Sequence, residues 1–255
     1  MLAIPGTARI VSDLHLRVER PDLTERFAGF LAATAGAGVD MLFILGDLFE
    51  YWIGDDDLAD PFNAQVCKLL RNLAERGTRL FFIGGNRDFL LGEAFARAAR
   101  IELLPETVTV GVGDTATLLM HGDTVCTDDV PYQEFRRMVR SPEWQAKFLA
   151  RSLAERRAEV ASLRRRSAEA MLGKTPAIMD ANAAAIKAAL LAHDCRRLIH
   201  GHTHRPGRED LQLASGAAER WVLSDWDTGR GDALELSAAG VRRIDLGCRL
   251  PVASA

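Results

Sequence analysis

Short runs of apolar residues alternate along this chain with segments in which apolar residues recur every three or four positions. The short runs predict buried β-strands, and the longer spacing predicts amphipathic helices. Their alternation along the chain indicates an α/β fold. The predicted strands are Arg9–Val11, Asp40–Leu45, Arg79–Ile83, Thr117–Met120, Arg197–Ile199, Trp221–Ser224, Ala233–Leu236 and Val241–Leu246.

The helix after the second predicted strand has clear boundaries in the sequence. Asp60 can accept a hydrogen bond at its N-terminus, and Pro61 suits the first helical position because no N–H is needed there. Gly77 is placed to end the helix. The apolar residues between these limits form one stripe, which predicts a buried face: Phe62, Val66, Leu69, Leu70 and Leu73.

Residues 131–174 differ from the rest of the chain, because they contain few strand signals and are rich in charge. Ser141-Pro142 is typical of a helix start, and apolar stripes run before and after it. Eleven Lys and Arg against five Glu give this segment a net charge of +6, within a chain of net charge −3. We predict a basic helical insertion at 131–174 in an α/β core formed by 1–130 and 175–255. Taken alone, such charge-rich helices are more typical of a solvated pair with a basic outer face.

The composition of the 255 residues, 48% hydrophobic and 26% charged, is that of an ordinary globular protein. The net charge gives no basic field over the whole chain, so we expect no nucleic-acid partner. Four scattered cysteines without a C-x-x-C pair indicate a reduced compartment. No apolar run reaches the roughly 18 residues of a membrane span, and the N-terminus lacks a signal-peptide pattern. We therefore expect a cytoplasmic protein with no obligate protein partner.

Residues of the types that bind metals follow five of the predicted strands. In α/β sheets the loops at the carboxyl ends of strands converge, even when they are distant in sequence. Each short motif alone is typical of a turn, but the same placement after five strands predicts one polar site. The residues concerned are Asp13, His15, Asp47, Asn86, His121, His202 and His204.

The ordered motifs D-x-H, G-D, G-N-x-[DE], H-G-D and G-H-T-H resemble those of the calcineurin-like metallophosphoesterases. The resemblance implies a sandwich of two mixed β-sheets flanked by helices, with two divalent cations bridged by Asp47. It assigns Asp13, His15 and His204 to the first cation, and Asn86, His121 and His202 to the second. A pair of cations can activate water against a phosphoryl group, so all seven residues are expected to be catalytic. Nitrogen and oxygen ligands suit Mn²⁺, Fe or Zn²⁺.

Two further acidic residues and one arginine stand beside these motifs. Asp88 and Asp123 are candidates either for orienting a ligand imidazole or for capping turns. The family often has His after the Asn of G-N-x-[DE], where this chain has Arg87. Arginine does not release a proton near neutral pH but binds phosphate bidentately. Because a phosphate leaving group needs no proton, Arg87 favours a pyrophosphate substrate over a simple alkyl phosphate.

Longer stretches of the chain are similar to the UDP-2,3-diacylglucosamine pyrophosphohydrolase family of lipid A biosynthesis. This resemblance implies water attack on the α-phosphorus, which yields UMP and 2,3-diacylglucosamine 1-phosphate (lipid X). It also implies Mn²⁺ as the metal and a peripheral position on the cytoplasmic face of the inner membrane. The stretches are SDLHL (12–16), ILGDLFEYWIGDD (44–56), GGNRDFL (84–90), LMHGDTVCTDD (119–129), YQEFR from Tyr132, IMDAN (178–182) and IHGHTHRP (199–206).

The same resemblance assigns substrate contacts and makes residues 131–174 the lipid-binding element. One departure is Met171, which stands where the family often has Asn. Met171 can still line an acyl channel. The implied substrate-binding residues are Asn86, Arg87, Asp129, Ser167, Lys174 and His202, with Arg164 and Tyr132 as further candidates for the phosphate and the sugar.

Two other functions remain open from the sequence. Another two-metal phosphodiesterase, acting on nucleotides, would keep the metal ligands without needing the insertion or Arg87. A non-catalytic scaffold of the same fold would be expected to lack ligands, and none of the seven is missing.

Overall fold

The computed structural model of the protein describes residues 1–113, 115–172 and 178–247, without the side chains of 167–172. Its strands are β1 (Leu2–Ala3), β2 (Ala8–Val11), β3 (Met41–Ile44), β4 (Arg79–Ile83), β5 (Ile101–Leu104), β6 (Thr107–Val112), β7 (Thr115–Met120), β8 (Arg197–His200), β9 (Gly207–Leu213), β10 (Gly216–Val222), β11 (Asp232–Ser237) and β12 (Gly240–Asp245). Its helices are α1 (Pro21–Gly36), α2 (Pro61–Glu75), α3 (Glu93–Ala99), α4 (Val130–Val139), α5 (Pro142–Leu149), α6 (Leu153–Leu172) and α7 (Ala183–Ala192).

The strands form two mixed sheets of six strands each, which confirms the predicted sandwich. The first sheet has the order β12-β11-β2-β3-β4-β5, with β2 to β5 parallel and β11 antiparallel to β2. The second has the order β1-β6-β7-β8-β10-β9, and its central strands β7 and β8 are parallel. The central strands of each sheet are parallel, and their carboxyl ends lie on one side of the molecule. The loops that carry the predicted ligand residues leave the strands on that side.

The alternation within β3 shows how the apolar sequence builds the layers. Met41 and Phe43 pack between the sheets with residues such as Leu119 and Ile199 of the second sheet. Leu42 and Ile44 point to the opposite face, where α1, α2 and α3 cover the first sheet. A strand buried on both faces needs apolar residues at every position, which explains the unbroken DMLFIL run. A third cluster joins α7 to the outer face of the second sheet.

The predicted helix after the second predicted strand is α2, and its cap is confirmed. Asp60 accepts a hydrogen bond from the Phe62 amide at 3.0 Å, and Pro61 is the first helical residue. Ser141 likewise caps α5 by accepting from the Trp144 amide at 3.2 Å. No helix among the described residues is both long and apolar enough to cross a membrane.

Helices α4, α5 and α6 follow one another in the chain, after the loop that leaves β7 and before α7. The best-buried contact of α6 with the rest of the molecule is Arg156, which donates to the Ile53 carbonyl and pairs with Asp56. Arg157, the next residue, pairs with Asp57. These contacts fix the first half of α6 against the 3₁₀ turn Asp55–Asp57.

Candidate active site

The loops that leave β2, β3, β4, β7 and β8 bring together all seven predicted ligand residues. Strands β2 to β4 belong to one sheet and β7 and β8 to the other, so the site lies across the carboxyl edges of both. The first group contains Asp13, His15 and His204: Asp13 Oδ1 lies 3.4 Å from His204 Nε2, and His15 Nε2 lies 3.4 Å from the same nitrogen.

The second group forms around Asn86. Its Oδ1 lies 2.9 Å from His121 Nε2 and 2.8 Å from His202 Nδ1. Asp47 stands between the groups, with Oδ2 3.9 Å from His15 Nε2 and Oδ1 3.8 Å from His121 Nε2. One carboxylate therefore presents one oxygen to each group, which is the arrangement a bridging ligand requires.

The donor atoms of these groups fit divalent cations. The candidate ligand atoms of Asp13, His15 and His204 lie within 4.8 Å of one another, as do those of Asp13, Asp47 and His121. Asp13 Oδ1 is buried without a hydrogen-bond partner, an arrangement that a bound cation would resolve. Oxygen and imidazole donors without thiolate suit first-row divalent metals.

The backbone at the site is held in an uncommon conformation. Asp13, His15, Asp47, His202 and His204 all have φ between 49° and 64°, in the left-handed region. Such residues cost on the order of 1–3 kcal/mol each and persist where the surrounding structure demands them. Among the described residues only Arg100 and Asp194 share this feature outside glycine. The strain is thus concentrated on the proposed ligands.

Two glycines are required here because the backbone comes very close to ligand carboxylates. A Cβ on Gly85 would lie 2.2 Å from Asp47 Oδ1. A Cβ on Gly201 would lie 2.0 Å from Ser12 Oγ and 2.1 Å from Asp13 Oδ2. The G-N and G-H motifs therefore contain glycine for close packing against the neighbouring loops.

Burial lowers the pKa of two of the four site histidines, whereas neighbouring carboxylates outweigh burial and raise the pKa of His121 and His204. Burial lowers the pKa of His202 to about 3 and that of His15 to about 4. Both imidazoles are thus neutral near pH 7, which is the form that binds a metal. Nδ1 of His121 donates to the Leu45 carbonyl at 2.7 Å, which leaves Nε2 to face Asp47 and Asn86.

Burial also raises the pKa of the two buried carboxyls that follow β3 and β4. Burial raises the pKa of the Asp47 carboxyl. Burial and the negative charge of Asp47 together raise the pKa of the Asp88 carboxyl to about 7. Asp88 accepts hydrogen bonds from the amides of Gly85, Asp47 and Leu48, so it ties two ligand loops together and orients no imidazole. Positive charge at the site would stabilise both carboxylates.

Asp123 has the corresponding role beside α4. Its Oδ2 accepts from Arg136 Nε at 2.7 Å and from the Tyr132 hydroxyl at 3.3 Å. Burial alone would raise the pKa of Asp123, but His121, His202 and Arg136 lower it to about 2. Of the two roles left open for Asp123 by the sequence, neither matches these hydrogen bonds, which anchor α4 to the loop after β7.

Six of the eight predicted substrate residues have described side chains, and of these Asn86, Arg87, Tyr132 and His202 lie at the ligand groups. The backbone amide of Arg87 donates to Asp47 Oδ1 at 2.9 Å. The side-chain Nε of Arg87 is buried and has no hydrogen-bond partner among the described residues. The Tyr132 ring stacks on His202 with centroids 5.7 Å apart. Asp129 caps α4 by accepting from the Tyr132 amide at 3.2 Å. Arg164 pairs with Glu50 at 2.7 Å. The Ser167 side chain, Met171 and Lys174 lie outside the described residues and side chains.

Two residues that the sequence analysis missed complete the surroundings. Glu50 is buried, pairs with Arg17 at 2.8 Å, and lies 3.7 Å from His15 Nδ1. Its position as a lone carboxylate in the apolar run LFEYWI was the available signal. Arg140 Nη2 donates to the carbonyls of Gly84 and Gly85, at 3.2 and 2.9 Å. No local pattern marks Arg140 as a support of this loop, because these two carbonyls lie more than fifty positions away.

Comparison with known proteins identifies the family to which a site of this geometry belongs. Residues 8–206 match the model of the calcineurin-like phosphoesterases. A UDP-2,3-diacylglucosamine hydrolase of Aromatoleum aromaticum is 50% identical over 86% of this chain and 89% of its own. The chain belongs to this family of calcineurin-like phosphoesterases. Relatives with the same name from Chromohalobacter salexigens (46% identity, 88% and 91% of the two chains) and Bordetella pertussis (44%, 96% and 97%) agree.

A solved archaeal phosphodiesterase supports the fold of this calcineurin-like phosphoesterase. It superposes with a TM-score of 0.50 at 14% identity, covering 94% of this chain and 99% of its own. The family and the converging carboxylates and imidazoles together establish a hydrolase with a site for divalent metal ions.

Proposed function

We propose that the protein hydrolyses the pyrophosphate bond of UDP-2,3-diacylglucosamine to UMP and 2,3-diacylglucosamine 1-phosphate. The observation that carries the proposal is Asp47, whose two oxygens face the two ligand groups while its Oδ1 also accepts from the Arg87 amide. The backbone that carries the guanidinium of Arg87 is thereby held beside the metal-type ligands. Relatives of 43–50% identity that are named for this substrate support the same conclusion.

The residues suit two cations, and Mn²⁺ is the metal we propose. Asp13, His15 and His204 would hold the first, Asn86, His121 and His202 the second, with Asp47 shared between them. When bound, such a pair of cations withdraws electrons from the phosphoryl group and makes water a stronger nucleophile near neutral pH. The neutral imidazoles of His15 and His202 can bind without first losing a proton.

Arg87 would bind the phosphate oxygens that carry charge during hydrolysis. Its Nε is buried and unpaired, so a phosphate oxygen can accept from it without displacing another acceptor. The leaving sugar phosphate carries its own charge and needs no proton, which suits a guanidinium at this position. The backbone of Arg87 is held by Asp47, so its position depends on the same bridging carboxylate.

Arg87→Ala is expected to lower kcat/KM about ten- to a hundredfold, because one charge-assisted contact is worth roughly 1.5–3 kcal/mol. Metal content per chain should stay at the wild-type value. Arg87→Lys keeps the charge without the planar fork and should recover only part of the loss. Steady-state kinetics with metal analysis on the same samples decide the matter; a parallel loss of metal and activity would give Arg87 a structural role instead.

We also propose that α4 and α5 contribute the surface for the acyl chains. Phe135, Met138 and Leu149 expose 37%, 50% and 41% of their surface, an unusual amount of apolar area for short helices. Trp144 stacks on buried Phe148 and its ring lies 6.4 Å from that of Phe89. Since Phe89 is two residues from Arg87, this apolar surface begins beside the proposed phosphate site.

The membrane contact we propose is peripheral and electrostatic. Residues 131–174 carry a net charge of +6, and basic residues near an anionic lipid surface contribute about 1 kcal/mol each. Such binding weakens as salt screens the charges. Flotation with anionic and with neutral vesicles, at low and high salt, measures it: binding that is insensitive to both would contradict the proposal.

Arg140 gives a test of how the insertion supports the chemistry. Arg140→Ala removes the donors to the Gly84 and Gly85 carbonyls, so the loop carrying Asn86 loses its support. We expect kcat to fall about tenfold, an effect of roughly 1.4 kcal/mol. The matched control is Arg137→Ala. Arg137 lies on the exposed side of α4 and donates to the Gln133 carbonyl in the same helix. Equal kcat values for the two variants would remove Arg140 from this role.

The proposed function itself is tested by incubating the Mn²⁺-loaded protein with UDP-2,3-diacylglucosamine and separating the products by mass spectrometry. UMP and the diacylated sugar phosphate should appear in equal amounts, and a chelator should stop their release. Absence of UMP with metal-loaded protein would refute the function.

A further inference from the structure

A cavity of about 220 Å³ opens beside the first ligand group, on the side of His15 and His204. Arg87 also lines it, so the cavity continues directly from the proposed phosphate site. The α4 residue Tyr132 lies over His202 in the second group instead. A substrate whose lipid half binds α4 and α5 would therefore extend its other half towards this cavity.

Arg20 forms one wall of the cavity and is held rigidly. Its guanidinium donates to both oxygens of Asp22 at 2.9 and 2.8 Å, and to Asp227 at 2.8 Å and Thr228 at 3.2 Å. These bonds occupy the edge of the guanidinium plane and leave its flat face as the surface it can offer. Guanidinium faces stack on aromatic rings, including nucleobases.

Trp226 supplies a second feature of the cavity. Its side chain is 2% exposed and packs edge-on against Phe27 and Phe30, yet its indole N–H has no hydrogen-bond partner. A buried donor without an acceptor costs about 1–3 kcal/mol, so an acceptor supplied by a ligand would be favourable. The backbone amide of Trp226 donates to the Asp13 carbonyl at 2.9 Å, which fixes this wall to the ligand loop.

The charge of the cavity discriminates between possible occupants. Away from the proposed metal ligands His15 and His204, the cationic and anionic side chains that line the cavity are equal in number, so this outer part suits an uncharged polar group better than a second phosphate. Carboxylates such as that of Asp227 can accept from the hydroxyls of a sugar. The charged residues in question are Arg17, Arg20, Arg87, Glu50, Asp225 and Asp227.

We infer that this cavity binds the uridine half of the substrate, a conclusion that rests on the proposed function. The pyrimidine ring lies against the face of Arg20, with a base carbonyl accepting from the Trp226 indole. The ribose hydroxyls lie near Asp227. The α-phosphate lies at the inner end, within reach of Arg17 and Arg87. Arg17 can serve there because its hydrogen bonds within the described part of the chain, to Glu50 and the His15 carbonyl, use only Nη1.

The test compares binding of UMP and of inorganic phosphate to the Mn²⁺-loaded protein by calorimetry. Trp226→Phe keeps the ring packing and removes the N–H, and Arg20→Gln removes the stacking face. We expect each to weaken UMP binding about five- to tenfold and to leave phosphate binding unchanged. The matched control is Arg97→Gln: Arg97 is an exposed arginine of α3 that does not line the cavity. It should bind both probes as the wild type does.

Kinetics on the lipid substrate provide the second measurement. Both variants should raise KM with little change in kcat, because they affect binding far from the reacting bond. The inference is overturned if UMP binding is unchanged in Arg20→Gln and Trp226→Phe, if phosphate binding weakens equally, or if Arg97→Gln behaves like them. If wild-type protein releases no UMP from the lipid substrate, the proposed function fails instead, and the two failures are distinct.

Discussion

Replacing Asp47 by alanine is expected to abolish hydrolysis, with a loss of about a thousandfold or more in kcat, roughly 4 kcal/mol. The carboxylate lies between the two ligand groups, 3.9 Å from His15 Nε2 and 3.8 Å from His121 Nε2, and also accepts from the Arg87 amide. Its removal would leave two cations without their shared counter-charge and the phosphate-binding loop without an anchor.

Metal analysis and melting curves accompany the kinetics of Asp47→Ala. Wild-type protein should hold two metal ions per chain and gain melting temperature with Mn²⁺, because a ligand that binds only the folded state stabilises it. The variant should hold fewer ions and gain less. Without metal it should be as stable as wild type, since burial already disfavours the charged Asp47 carboxylate. The control is Asp210→Ala, which removes an exposed carboxylate. Near-normal turnover by Asp47→Ala would refute the bridging role.

The second large effect is expected when residues 131–174 are replaced by a short Gly/Ser loop. Hydrolysis of the diacylated substrate should fall about a thousandfold or more, because each buried methylene contributes about 0.8 kcal/mol to lipid binding. A small soluble phosphodiester should still be cleaved by the metal site. Equal losses on both substrates, with metal retained, would show that the insertion does not recognise the lipid.

The loop replacement also removes Arg136 and Arg140, which pair with Asp123 and support the Gly84–Gly85 loop. A variant that keeps these contacts is therefore needed. Changing Phe135, Met138 and Leu149 together to serine alters exposed side chains only and should reproduce the loss on the diacylated substrate. The matched control changes Val18 and Leu191 to serine. Both are exposed apolar residues outside the insertion, so this variant should keep its activity unchanged.

Much of the fold was predictable because buried central strands have a strong local signature. Arg79–Ile83 was predicted with its observed limits, and the strands preceding the other ligand loops were predicted within two residues. Strand β10 was predicted too late, at 221–224, because its first half contains small and charged residues. Strand β9 was missed because most of its residues are exposed at the sheet edge and therefore polar.

The site was predictable as a set of residues, since each ligand lies next to a strand end. Its geometry was not. The two-sided placement of Asp47 depends on three loops from two sheets. The left-handed backbone at Asp13 or His204 is only weakly indicated by residue type, because Asp and His are enriched in that region without being confined to it. Arg140 and Glu50 act through partners far away in sequence. Such long-range contacts follow from packing, which local periodicity does not specify.

Hydrolysis in ¹⁸O-labelled water tests the central claim most directly. The Mn²⁺-loaded protein is incubated with UDP-2,3-diacylglucosamine, and both products are analysed by mass spectrometry. Water attack on the α-phosphorus places one labelled oxygen in UMP and none in 2,3-diacylglucosamine 1-phosphate, which is the result we predict. Label in the sugar phosphate, or no UMP release by metal-loaded protein, would contradict the account.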